Sequence, residues 1–321
     1  MSIPYHSDCA ARSICTVFLE RSTGALRRRQ DELRRRENTM ARISVITVCL
    51  NAEVAIGDTI RSILEQTYCD FEYIIKDGVS KDQTISMAES FCGAFEKRNI
   101  PYKIVSRQDQ GIYDAMNQAV QEAKGDWVVF MNAGDCFANA SVLELVARSG
   151  YLDTADIIYG DTIRKRNNLY IYTKALDLDR LRYEMTFCHQ STYTRRVLLE
   201  DEPYSVQYRV CSDYKFYMQM NQEHKRFAYI PEALSIYDTR GTSSNWRVSY
   251  LERVKMLEEM PVRDEVAIQK ALEAANRVRR VRFFIEHIWK FVPKTIRERR
   301  RRRLDRLDGW KTEKEFFGEQ R

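Results

Sequence analysis

The chain has 321 residues, of which 44% are hydrophobic and 11% aromatic, so it can bury the core of one large domain or of two ordinary ones. The net charge of +6 is unevenly spread: residues 40–260 carry 26 Lys and Arg against 31 Asp and Glu, whereas residues 261–321 carry 18 against 10. The middle of the chain is therefore predicted to be a mildly acidic globule, and the two ends of the chain are basic.

Cysteine spacing and hydropathy argue against two classes of protein. The eight cysteines are scattered and form no C-x-x-C pair, which disfavours a disulfide framework or a zinc site and indicates a reducing compartment. No apolar run approaches the roughly 18–20 residues that a membrane-spanning helix needs. The apolar patch 14–19 is too short for a signal peptide. We expect a cytoplasmic protein.

Composition divides the chain into three parts. Residues 1–39 are dense in charge and are predicted to be a poorly ordered extension. Met40 could be the true start of the protein; the alternative is that the segment before it is a solvated helix with no specific role. Residues 40–250 are predicted to form the main domain, and residues 251–321 a helical, basic C-terminal extension.

From residue 43 onward, predicted strands and helices alternate. The apolar runs 43–50, 71–76, 102–106 and 127–131 are expected to be strands, and 54–64, 82–98 and 112–124 to be helices. Asp82 is expected to cap its helix, and Gly125 to end the next one. The order predicts an α/β fold with a mostly parallel central sheet flanked by helices.

Polar residues follow the predicted strands. Asn51 comes after the first strand, Asp77 after the second, and the sequence Asn132-Ala-Gly-Asp135 after the fourth. The carboxyl edge of a parallel sheet is where α/β folds bind ligands. These side chains are therefore candidates for one shared site.

In the second half, 138–250, the regular alternation of predicted strands and helices ends. Residues 157–161, 169–172 and 189–193 are predicted to be short strands, Ser212 to cap a helix, and 230–237 to be an edge segment. From Trp246 the chain is predicted to be helical almost to its end. Residues 278–292 have an apolar face and precede an arginine run, which predicts a membrane-surface helix through 278–303. The alternative is a helix packed on the domain; nucleic acid is disfavoured because no aromatic platform accompanies the arginines.

Four motifs in order resemble those of family 2 (GT-A fold) inverting glycosyltransferases, especially bacterial transferases of exopolysaccharide and colanic-acid-type assembly. They are the run 43–51, the sequence 77–84 (DGVSKDQT), the sequence 109–117 (DQGIYDAMN) and the sequence 132–135 (NAGD). The similarity is dense over 43–137 and thinner to about 245. It implies a GT-A fold whose nucleotide-binding half is 43–137 and whose acceptor half is 138–250.

The resemblance implies a UDP- or GDP-sugar donor. Asp77 is then expected to bind the base or ribose, with Asn51 and Thr47 on the same edge. Asp109 and Asp114 flank Gly111, and one of them is expected to position the donor sugar or diphosphate. Asp114 could equally be a first-turn aspartate that the helix dipole favours.

The resemblance also implies a divalent metal, Mg²⁺ or Mn²⁺, that neutralises the diphosphate leaving group. Family members often carry Asp-x-Asp after the fourth strand, but this chain has Asn132 and Asp135. Asp135 is therefore predicted to be the charged metal ligand, and Asn132 to contact the nucleotide sugar.

The acceptor hydroxyl needs a general base. By resemblance this is Asp213, although Ser212 stands where the family often has Glu. His189 and Gln190 are expected to contact the diphosphate or the acceptor, unless His189 is simply a hydrogen-bonded core residue. The acceptor is expected to be lipid-linked or a growing glycan in surface polysaccharide synthesis.

Two other functions compete with a glycosyltransferase. A dinucleotide oxidoreductase is disfavoured because no G-x-G-x-x-G follows the first strand. A non-catalytic protein that keeps the fold and binds nucleotide sugars or a membrane surface is the main alternative, motivated by Asn132.

Overall fold

The computed structural model of the protein describes residues 42–239, 246–260, 264–287 and 308–318, and single positions between 294 and 305. The predicted extension 1–39 lies outside these residues.

The first half is built on four parallel strands. They are β1 (Ile43–Cys49), β2 (Phe71–Asp77), β3 (Tyr102–Ser106) and β4 (Trp127–Phe130), in the spatial order β4-β1-β2-β3. All residues of β1 and β2 are buried, as expected for a parallel sheet covered on both faces. Along β1, Ile43 and Val45 belong to one apolar core, and Ile46 and Val48 to a second core on the other face. The predicted α/β class and parallel strands are confirmed here.

Four helices connect these strands: α1 (Ile56–Leu64), α2 (Thr84–Glu89), α3 (Cys92–Lys97) and α4 (Ile112–Val120). The predicted single helix 82–98 is wrong. It is two short helices, and the Ser90 hydroxyl donates to the Met87 carbonyl where the first one ends. Asp82 lies one residue outside the N-cap, which is Gln83, and accepts from the Thr84 backbone N–H. Helix α4 also ends before the predicted stop at Gly125.

The second half extends the same sheet. Its elements are β5 (Cys136–Phe137), α5 (Val142–Arg148), α6 (Tyr151–Thr154), β6 (Ile157–Arg166), β7 (Leu169–Thr173), β8 (Thr192–Arg195), α7 (Arg196–Asp201), α8 (Ser212–Gln222) and β9 (Phe227–Asp238). Strand β8 pairs antiparallel with β4 and with β6, which continues the sheet as predicted. Strand β9 pairs parallel with β6. Four parallel strands are thus followed by a mixed region.

Two local predictions in this half are wrong. Residues 189–193 do not form one strand, because His189–Ser191 is a 3-10 turn and β8 begins only at Thr192. Ser212 does not cap α8: the N-cap residue is Cys211, and the buried Ser212 hydroxyl has no hydrogen-bond partner in the described structure.

The C-terminal part is helical but interrupted. Helix α9 (Trp246–Glu259) ends just before Pro261, and α10 (Glu265–His287) follows, so the predicted unbroken helix is wrong. Strand β10 (Lys311–Thr312) pairs with β7, and α11 (Glu313–Phe317) places two phenylalanines near Tyr170. Among the described residues, no helix has the length and apolar character needed to span a bilayer. Most of the predicted membrane segment 278–303 lies outside the described side chains.

Candidate active site

A cavity of about 1030 Å³ opens at the carboxyl ends of β1 and β4. Its walls come from both halves of the chain: the ends of β1, β4 and β9, the start of α4, the 3-10 turn after residue 188 and the start of α8. Of the predicted site residues, it is lined by Asp109, Asn132, Asp135, His189, Gln190 and Asp213.

Asp135 is the buried carboxylate of this cavity, with 5% of its surface exposed. Its Oδ2 accepts from the Gln190 amide at 2.9 Å, and its Oδ1 accepts from the Asp238 backbone N–H at 2.9 Å. Burial raises the pKa of Asp135 to about 7, although these two hydrogen bonds act in the opposite direction. Gln190 therefore orients the carboxylate predicted to hold the metal.

Asn132 offers a second oxygen beside Asp135. Its Oδ1 is buried and has no hydrogen-bond partner in the described structure, and the residue lines the cavity. Within the described ranges, no three His, Cys, Asp or Glu side chains come together as a metal site. The protein donors thus fit a Mg²⁺ or Mn²⁺ ion that takes its remaining oxygen ligands from a bound diphosphate.

Asp213 lies in the first turn of α8 and faces the same cavity. The Tyr113 hydroxyl is 2.8 Å from Asp213 Oδ1 and 2.7 Å from the Val210 carbonyl oxygen. A hydroxyl has one proton, so it can donate fully to one of these oxygens at a time. When Asp213 carries a proton, it can donate to Tyr113 and leave the Tyr113 proton for Val210.

His189 is a core residue at the wall of the cavity. Its ring stacks on Phe130 at 5.1 Å between centroids, and Nε2 is 2.9 Å from the Tyr204 hydroxyl. Burial lowers the pKa of His189, while the charge of Asp213 acts in the opposite direction. The neutral imidazole is therefore the favoured form, and it is already hydrogen-bonded.

Asp109 is the other predicted donor-side carboxylate at the cavity. Its Oδ2 is 2.8 Å from the Nζ of Lys76, and its Oδ1 accepts from the Gly111 N–H at 3.1 Å. Lys76 is fully buried and also donates to the carbonyls of Asp77 and Arg107. This buried lysine fixes the loop that carries Asp109.

Asp114 is not among the residues that line the cavity. Its Oδ2 accepts from the Gln110 N–H at 2.8 Å and from the Gln118 amide at 3.1 Å. These contacts are those of a first-turn helix residue, which is the alternative that the sequence left open.

Asp77, Asn51 and Thr47 also lie outside the lining, and the structure gives them internal partners. Asp77 accepts from the backbone and hydroxyl of Ser80 and from the Ser106 hydroxyl; burial opposes these bonds, but they prevail and lower its pKa. Asn51 joins the same network, because its Oδ1 accepts from the Lys81 N–H and its own N–H donates to the Ser80 hydroxyl.

Thr47 has no exposed surface and donates to the Met131 carbonyl at 2.6 Å. This hydrogen bond joins β1 to the segment that leads to Asn132. The geometry therefore supports an indirect role for Thr47, which holds that segment in place, instead of the predicted contact with the donor.

Several residues at the cavity were not singled out from the sequence. Tyr113 lies inside the 109–117 motif. Asp238 is the last residue of β9. Three cationic side chains also line the cavity: Arg164, Lys174 and Arg209.

Sequence comparison identifies relatives of this chain. The family described as Glycosyl transferase family 2 matches residues 44–212, more than half of the chain. A PGL/p-HBAD biosynthesis glycosyltransferase of Mycobacterium bovis is 33% identical over 225 residues, covering 68% of this chain and 86% of that relative. The putative teichuronic acid biosynthesis glycosyltransferase TuaG of Bacillus subtilis is 32% identical over 93 residues, covering 29% of this chain and 36% of TuaG.

Solved structures with the same fold include TarS of S. aureus, residues 1–349, in complex with UDP-GlcNAc. It matches with a TM-score of 0.57 at 19% identity, over 77% of this chain and 76% of that one. Mannosyltransferase PcManGT from Pyrobaculum calidifontis, in complex with GDP-Man and Mn²⁺, matches with a TM-score of 0.56 at 16% identity, over 74% and 69% of the two chains. These likenesses confirm the predicted GT-A fold.

Proposed function

The chain belongs to glycosyl transferase family 2, and from this premise we propose that it moves a sugar from a nucleoside-diphosphate sugar to a hydroxyl acceptor with inversion. The observation that carries the proposal is that Asp135 and Asp213, from opposite halves of the chain, line one cavity. A carboxylate near a diphosphate and a second one near an acceptor are what this transfer requires.

In the proposed reaction, Asp213 accepts the proton of the acceptor hydroxyl as its oxygen attacks the anomeric carbon. The bond from that carbon to the diphosphate oxygen breaks, and the nucleoside diphosphate leaves with the electron pair. Asp135 and Asn132 would hold a Mg²⁺ or Mn²⁺ ion, which would offset the charge on the leaving diphosphate. Attack from the side opposite the diphosphate gives inversion.

The donor is proposed to be a UDP- or GDP-sugar, in keeping with the ligands of TarS and PcManGT. Asp109 is proposed to face the donor sugar or diphosphate because it lines the cavity beside Gly111. Asp77 and Asn51 are proposed to shape the nucleoside edge through Ser80, and Thr47 to support it from beneath.

The acceptor is proposed to be lipid-linked. Ile112, Met185 and Val210 line the cavity, and all three are partly buried apolar residues packed on the second core. Their apolar surface next to Asp213 suits an acceptor with an apolar body. The names of the relatives support a setting in glycolipid or polysaccharide synthesis, for which we propose a location at the cytoplasmic face of a membrane.

The function is tested by incubating the protein with a panel of UDP- and GDP-sugars and Mn²⁺ and measuring nucleoside-diphosphate release. Asp213→Asn should lower turnover by about 10²- to 10⁴-fold without weakening donor binding. Asp135→Asn should abolish metal-dependent donor binding. Asp179→Asn, at an exposed position away from the cavity, is the control.

Two results would count against the proposal. Normal turnover by Asp213→Asn would reject that residue as the base. Absence of both turnover and metal-dependent nucleotide binding in the unmodified protein would reject the function.

A further inference from the structure

Arg164, Lys174 and Arg209 are exposed and line the cavity, yet the described part of the chain offers their side chains no hydrogen bond or ion pair. They come from three separate segments of a main domain whose net charge is negative. Three cations around one cavity repel one another, and a bound anion would relieve that repulsion.

Three carboxylates of the cavity are occupied by other groups, and the fourth, Asp238, is not free either. Asp109 is paired with Lys76, Asp135 accepts from Gln190, and Asp213 is bonded to Tyr113. Arg164, Lys174 and Arg209 are therefore available to bind a ligand.

Their positions place that ligand on the acceptor side. Arg164 is on the same face of β6 as Thr162, because side chains alternate along a strand. Thr162 pairs with Thr173, which directly precedes Lys174. Arg209 is in the loop that leads to Asp213, and none of the three belongs to the first half, which carries the nucleotide-binding motifs.

We propose that Arg164, Lys174 and Arg209 form a phosphate-binding subsite that holds a phosphate group of the acceptor. Two guanidinium forks and one ammonium provide several charge-assisted donors, which suits a multiply charged tetrahedral anion. The subsite would place the acceptor hydroxyl toward Asp213, with the apolar wall of Ile112, Met185 and Val210 beside it. This inference rests on the proposed function.

The test is calorimetric titration of octyl phosphate, below its micelle concentration, into the full chain saturated with UDP and Mg²⁺. The unmodified protein should bind octyl phosphate, and octyl glucoside, which has the same alkyl chain without the phosphate, should bind at least about tenfold more weakly. The triple variant Arg164→Gln/Lys174→Gln/Arg209→Gln should lose about tenfold or more in affinity for octyl phosphate. It should bind UDP as the unmodified protein does.

A matched control is Lys97→Gln/Lys124→Gln/Arg148→Gln, which removes the same charge at exposed positions outside the cavity and should bind octyl phosphate normally. Equal affinity of the cavity variant and the unmodified protein would overturn the proposal. So would binding of octyl phosphate only in the absence of UDP, which would assign the cations to the donor diphosphate. Failure of UDP to bind would count against the proposed function, while titrations without UDP would still decide the subsite.

Discussion

Tyr113 links the proposed base to the backbone of the loop before α8. Its hydroxyl lies within 2.8 Å of Asp213 and 2.7 Å of the Val210 carbonyl. The side chain is buried, and burial followed by the charge of Asp213 raises its pKa well above the usual value. Tyr113 therefore stays protonated, and its one proton can follow the protonation state of Asp213.

Removing the Tyr113 hydroxyl should make Asp213 less effective as the base, while the aromatic ring still fills its place in the core. Tyr113→Phe removes a hydrogen bond to a charged carboxylate, so turnover should fall by about ten- to a hundredfold. The measurement is nucleoside-diphosphate release, with donor affinity measured in parallel.

Tyr204→Phe is the control, since it removes a buried hydroxyl that contacts His189. A loss of thermal stability in Tyr113→Phe with unchanged turnover would show that the hydroxyl has a purely structural role.

Two carboxylates of the candidate site could be proposed from the sequence, but their hydrogen-bond partners could not. Asp135 ends the motif 132–135 after a predicted strand, and Asp213 was assigned by the family resemblance. The contact between Tyr113 and Asp213 spans 100 residues, and that between Gln190 and Asp135 spans 55. Such contacts depend on how the two halves of the sheet meet, which local patterns do not encode.

Between α4 and β4, Gly125 brings the chain against β1. A Cβ atom there would lie 2.7 Å from the backbone nitrogen of Ser44, closer than non-bonded atoms approach. The Gly125 N–H donates to the Ser44 hydroxyl and to Glu72, a buried carboxylate that also accepts from Ser44. Because Gly125 has no side chain, these hydrogen bonds can join β1, β2 and the start of β4.

Gly125→Ala should destabilise the fold by about 1–3 kcal/mol, because the backbone of β1 or β4 must shift to admit the methyl group. Urea unfolding measures the loss. Gly93→Ala is the matched control: it lies in helix α3 with no atom within 4 Å of the added Cβ, and it should stabilise slightly. Equal stability of the two variants would contradict the proposed crowding.

The four strands of the first half could be predicted, but the helix ends could not. The mostly apolar run of β1 is fully buried in the sheet, as its composition predicts. Ser212 was expected to cap α8 because its residue type favours that position, but the helix begins one residue earlier and buries the hydroxyl. Tertiary packing overrode the local preference.

His189 makes the stability of the whole molecule depend on pH. Because burial lowers its pKa, the unfolded chain binds a proton below the ordinary pKa of about 6.5, whereas the folded protein does not. The contribution of His189 to the free energy of unfolding should therefore decrease as the pH falls below about 6.5, whereas the raised pKa of Asp135 contributes in the opposite direction below about pH 7.

His189→Gln keeps a polar side chain but cannot titrate, so its free energy of unfolding, relative to that of the unmodified protein, should rise as the pH falls from about 7 to about 5. Urea unfolding at several pH values, compared with the unmodified protein, isolates this contribution because all other groups are shared. His224→Asn, at an exposed position with φ of 56°, should follow the unmodified protein. Parallel curves for His189→Gln and the unmodified protein would refute the prediction.

The parallel half of the central sheet could be predicted from the sequence. The order of strands and helices in the first half determines a parallel sheet, because crossover connections are right-handed and short. The return of β10 to the edge strand β7 was missed, since two residues carry no periodic signal.

The loops after β1 and β2 are tied together by side chains. Four backbone amides in these loops donate to side-chain oxygens. Asn51 donates to Ser80, and Ala52 donates to Thr84. Ser80 donates to Asp77, and Lys81 donates to Asn51. These amides should therefore exchange with deuterium far more slowly than ordinary loop amides, although they belong to no helix or strand. In Asp77→Ala, the amides of Ser80 and Asn51 should exchange quickly while those of β1 stay protected. The nucleoside edge would then be a surface ordered by folding itself, with little conformational entropy left to lose when a donor arrives.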